Sequence, residues 1–116
     1  MNYIVTTAHR SEFPHPITLR RGQALVVGER YEGPEGWDDW FLCEGEGQHP
    51  GFVPAPVIGR DAQGGAFATE DYCARELDVD PGQLLRGQRT LNGWAWCVPE
   101  AGDPGWVPLE KVRVVE

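Results

Sequence analysis

The chain has 116 residues, of which 41% are hydrophobic and 24% charged, with a formal net charge of -8. That balance excludes a wholly disordered chain and argues against nucleic acid as a partner, because such affinity rests on Lys and Arg replacing condensed counterions. No stretch approaches the roughly 18 to 20 apolar residues of a membrane span, and Met1-Asn2-Tyr3-Ile4-Val5 lacks the basic flank and apolar run of a signal peptide. The expectation is a cytoplasmic protein, and an odd set of three cysteines suits free thiols in a reducing compartment better than a disulfide framework.

With 15 Gly and 10 Pro punctuating short apolar runs, the elements read as short strands and turns. Val5 to His9 opens the first copy of a repeated motif, followed by a loop from Arg10 to Pro16. Ile17 and Leu19 alternate with polar neighbours, the period of a half-buried strand, and Gly22 sits at a turn position before Leu25. The run from Glu32 to Asp39 is polar and reads as a loop, Trp40-Phe41-Leu42-Cys43 as a strand, and Pro54, closing Pro50-Gly51-Phe52-Val53-Pro54, as a turn-starter after a strand. Gly59 to Gly65 is polar and glycine-rich, the composition of a linker.

The same elements then recur. Asp103-Pro104-Gly105-Trp106-Val107-Pro108 repeats His49 to Pro54 at an offset of 54, and Trp94-Ala95-Trp96-Cys97 repeats Trp40 to Cys43 at the same offset. Leu77 to Leu85 matches Ile17 to Leu25 at an offset of 60, and Ala68 to Tyr72 matches Val5 to His9 at 63. Offsets change only at loops, where a repeated fold accepts insertions. The predicted organisation is all-β: one unit over residues 1–58, a linker over 59–65 and a second unit over 66–116, with a single 3₁₀ turn after each Val-Pro pair.

Together these motifs resemble SH3 domains in tandem over nearly the whole chain. Copy two offers Ala68, Asp71 and Tyr72, then Glu76-Leu77 with Val79 and Gly82, then Trp94, Cys97 and Gly105-Trp106-Val107-Pro108. Copy one offers Ile17, Leu19, Gly22, Trp40-Phe41, Cys43 and Gly51-Phe52-Val53-Pro54. The resemblance implies two five-stranded SH3-like barrels. It also implies a non-enzymatic interaction module that grips an extended, proline-containing peptide in an aromatic groove, since a polyproline II ligand stacks on flat rings at little entropic cost.

Copy two keeps Tyr72, Trp94 and Pro108 of that groove, with Glu70 and Lys111 at its other two aromatic positions. Copy one keeps only Trp40 and Pro54, with Thr7, His9 and Val57 at the tyrosine positions. Glu12, Asp38 and Asp39 are candidate acids for a basic ligand segment, set against the plainer reading of a solvated acidic face. Alternation puts Trp40 and Trp94 on the strand face opposite Cys43 and Cys97, so half-exposed rings over buried thiols are expected. The rival expectation is a degenerate pair with a structural or homodimerisation role, its rings buried and no peptide bound. No cofactor is implied. His9, His15 and His49 lack metal-ligand spacing, and no nucleophile with a base is visible, so an enzyme is not expected.

Overall fold

The computed structural model describes residues 1–11, 14–33 and 39–115. In chain order the strands are β1 (Asn2–Val5), β2 (Thr18–Leu19), β3 (Ala24–Arg30), β4 (Trp40–Glu44), β5 (Gly51–Pro54) and β6 (Ile58–Arg60). There follow β7 (Ala66–Ala68), β8 (Tyr72–Cys73), β9 (Leu84–Leu91), β10 (Trp94–Pro99), β11 (Gly105–Pro108) and β12 (Val112–Val115). A 3₁₀ turn follows each Val-Pro pair, at Ala55–Val57 and Leu109–Lys111. There is no α-helix among the described residues, and none is long and apolar enough to cross a membrane. The fold is all-β.

The strands form two five-stranded antiparallel sheets, ordered β11-β10-β9-β1-β12 and β5-β4-β3-β7-β6, and a two-stranded sheet β2-β8. Under the offsets of the sequence repeat the two five-stranded orders are the same order. No pairing among the described residues closes either sheet into a barrel. The expected half-burial appears directly: Ile17 and Leu19 are buried with Thr18 exposed between them, and Leu77 and Val79 likewise flank Asp78. The turns before β3 and β9 are also alike. Gly22 (φ +85°) and Gly82 (φ +91°) take the left-handed conformation that glycine adopts without strain. The following Gln23 and Gln83 each accept, through Oε1, the backbone N–H three residues earlier at 3.0 Å.

The chain divides into two compact units, but not at the expected boundaries. One comprises Met1–Pro14 with Arg75–Glu116, the other His15–Ala74. The first strand of each repeat has joined the other repeat's sheet: β1 lies between β9 and β12, and β7 between β3 and β6. The expected linker over 59–65 is a hairpin. Ile58, Gly59 and Arg60 pair with Ala68, Phe67 and Ala66, and Asp61 Oδ1 accepts the N–H groups of Gln63 (2.9 Å) and Gly65 (2.8 Å) across the turn. Polar, glycine-rich composition serves a tight turn as well as a linker, and only the pairing of the flanking strands tells them apart.

The core of the first unit is Tyr3, Val5, Leu77, Val79, Leu85, Ala95, Cys97 and Val107. Ile17, Leu19, Leu25, Cys43, Val53 and Ala68 are buried at equivalent positions of the second, together with Val57. As expected, Cys43 and Cys97 are fully buried and unpaired.

Candidate functional site

Strand pairing brings the groove candidates together in a different grouping from the one the repeat suggested. In the first unit β10 and β11 set Trp94 opposite Pro108, and the chain after β1 brings in His9, whose ring meets the Trp94 ring edge-on at 5.5 Å and 78°. In the second unit β4 and β5 set Trp40 opposite Pro54, and Tyr72 belongs there through its pairing with Leu19. Tyr72 therefore falls in a different unit from Trp94 and Pro108. Copy two alone would assemble them only if each repeat closed on its own first strand.

Nor are the rings half-exposed. Trp40 retains 6% of its accessible surface, Trp94 8% and Tyr72 7%, while Pro54 and Pro108 are fully buried. Alternation does separate each Trp from its Cys, yet the face away from the thiol is covered as well. At Trp94 the cover includes His9; at Tyr72 the hydroxyl turns inward and donates to the Phe52 carbonyl at 3.0 Å. Of the acidic candidates, Asp39 is an exposed residue at φ +59° facing Arg30 at 3.5 Å. Glu12 and Asp38 lie outside the described residues.

A residue that sequence reasoning left without a role is the best-anchored polar group of the first unit. His9 is the one buried polar side chain among the described residues. Its Nε2 lies 2.7 Å from Glu76 Oε1 and its Nδ1 lies 3.0 Å from Lys111 Nζ. An ammonium can only donate, so Nδ1 accepts and the ring proton sits on Nε2, donated to the carboxylate. Its backbone pairs with Val79 in both directions, at 3.0 and 2.9 Å. Arg10 continues the contact, donating to the Val79 carbonyl at 2.8 Å and to Asp80 at 2.6 Å. The signal was present in the sequence: Glu76 and Lys111 stand where copy one has Pro16 and Val57, so only one copy could surround a histidine with charge.

His15 and His49 stack at 4.7 Å in the second unit, and no cluster of His, Cys, Asp or Glu suited to a metal ion occurs among the described residues. Burial pushes the Cys43 and Cys97 thiols up to about 11, keeping them protonated. Cys73 is partly exposed, with the Thr18 hydroxyl 3.7 Å from its sulfur. A surface hollow on the first unit is lined by Leu84, Arg86, Val98, Pro99 and Val115 among others, and contains none of the groove candidates. In comparisons with known proteins the chain matches no family model, no curated protein and no solved structure.

Proposed function

We propose that the protein is a non-enzymatic, cytoplasmic SH3-like pair with a structural or homodimerisation role. In this reading its aromatic and proline clusters brace each exchanged unit from within instead of gripping a peptide. The carrying observation is the burial of Trp40, Trp94, Tyr72, Pro54 and Pro108, each less than a tenth exposed. A proline ligand needs an open ring face to stack on, and exposed rings are what hot spots of such surfaces present. The test is a titration of the labelled protein with a proline-rich, Arg-containing peptide. No saturable shift of the Trp40 or Trp94 indole resonances is expected up to millimolar peptide, and a saturable shift at either ring sinks the reading. Sedimentation velocity then reports whether the role includes self-association.

A second reading keeps peptide binding but moves it. Tyr72, Trp40 and Pro54, three groove positions, fall in one unit, and residues 15–74 hold ten acidic against four basic residues, which favours a basic ligand. Under this reading the same titration is saturable and is abolished by Trp40→Ala but not by Trp94→Ala.

A further inference from the structure

In the repeat, β1 and β7 are equivalent segments and β9 and β3 are equivalent acceptors, so either first strand could in principle pair with either sheet. We infer that two side-chain matches assign each strand to the opposite repeat: Tyr3 over Gly87, and His9 between Glu76 and Lys111. Strand pairing and side-chain chemistry carry this assignment, independently of any ligand.

The first match is one of size. Tyr3 pairs with Leu85 and lies on the same face as Gly87, two residues along β9. A Cβ at Gly87 would collide with the Tyr3 ring, whose Cδ2 lies 3.0 Å from that position, and with the Met1 carbonyl, also at 3.0 Å. The ring is buried to 4% exposure in the space that the missing side chain leaves. In the other unit the sizes are reversed. Ala66 pairs with Leu25, the position equivalent to Tyr3 opposite Leu85, and the residue equivalent to Gly87 is Val27. The equivalent positions therefore carry large and small in the first unit and small and large in the second. Closing each repeat on its own first strand would set Tyr3 against Val27 and leave Ala66 over Gly87, a clash in one unit and a void in the other.

The second match is one of polarity. His9 pairs with Val79, and its equivalent Tyr72 pairs with Leu19, so the crossed arrangement extends beyond β1 and β7. Where it sits, His9 has a carboxylate at one ring nitrogen and an ammonium at the other. At the equivalent place in the second unit those two partners would be Pro16 and Val57, neither of which offers a polar side chain. A buried imidazole deprived of partners is disfavoured. Discrimination by the penalty on the wrong pairing, added to the gain from the right one, is how such specificity is built.

The test uses the full chain. Nuclear Overhauser contacts from the Tyr3 ring to the Gly87 α-protons are expected within one chain in an isotope-mixed sample. Contacts from the Tyr3 ring to the Val27 methyls, or Tyr3–Gly87 contacts arising between chains, would overturn the inference. A second measurement reads the size match. Gly87→Val should lower Tm by about 10 °C in the native background. In a Tyr3→Ala background, which recreates the Ala66 and Val27 combination of sizes, the loss should fall to about half or less, the remainder coming from the Met1 carbonyl contact. Equal losses in both backgrounds would show that Gly87 is not reserved for the Tyr3 ring.

Discussion

Raising the pH tests the packing of both units at once, through the two buried thiols. Cys43 and Cys97 have no accessible surface, and burial lifts each pKa from an ordinary value near 9 to about 11. Because the folded-state value lies above the unfolded one, their contribution to stability is fully present below about pH 9. It is lost as the pH rises through about 11, since the unfolded chain gains by ionising while the folded one cannot. Each tenfold difference in acidity between the folded and unfolded thiol corresponds to about 1.4 kcal/mol, so between pH 8 and 10.5 each thiol should remove about 1–2 kcal/mol of stability. Other groups titrate in the same range, Tyr3 among them, whose pKa burial also raises. The thiols are isolated by comparing the native chain with the double variant Cys43→Ala/Cys97→Ala in urea melts at both pH values. The variant starts less stable but should lose about 2–4 kcal/mol less over the interval, seen as a smaller fall in the urea midpoint of about 1–2 M. Parallel pH profiles for the two proteins would show that the thiols ionise as readily folded as unfolded, and the core placement would be refuted.

The same burial predicts that native protein reacts with a thiol reagent at one site only, Cys73, with Cys43 and Cys97 labelled after unfolding; three fast equivalents would contradict it. In each Pro-Gly-aromatic motif the glycine is a close approach. A Cβ at Gly51 would lie 2.7 Å from Ile17 Cγ2, and one at Gly105 would lie 3.0 Å from Leu77 Cδ2. Gly51→Ala should therefore cost about 1–3 kcal/mol by overpacking and Gly105→Ala less, as read by thermal melts. A Gly51→Ala melt indistinguishable from the native one would remove this explanation of the motif. Replacing Lys111 by Met should cost about 1–2 kcal/mol by stripping the donor from the buried His9 Nδ1, whereas Arg113→Met on an exposed stretch of β12 should be near neutral. Equal effects would mean that the Lys111 contact contributes nothing.

Much of the fold was legible because it is written in local chemistry. Period-two alternation at Ile17 and Leu19 and at Leu77 and Val79, left-handed glycines at Gly22 and Gly82, and the doubled Trp and Cys positions each depend on near neighbours, and each stands where expected. The burial of the rings was not legible. Alternation says which face Trp94 occupies, but not that His9, 85 positions away in the chain, comes to lie against that face.

Least legible was which first strand belongs to which sheet. An alignment of repeats finds equivalent residues, and equivalence is what makes the two pairings hard to tell apart: β1 and β7 match at one offset whichever acceptor each of them chooses. The discriminating signal lies where the repeats fail to match, at Tyr3 against Ala66, Gly87 against Val27, and Glu76 and Lys111 against Pro16 and Val57. Read as departures from a pattern, these positions look like decay of a binding groove. Read in pairs across the strands of the first unit, they are complementary, Tyr3 beside Gly87 and the charges of Glu76 and Lys111 beside the His9 imidazole. In a repeat protein whose copies can trade parts, the mismatches carry the assembly instructions, because identical copies would give no preference between trading and not trading.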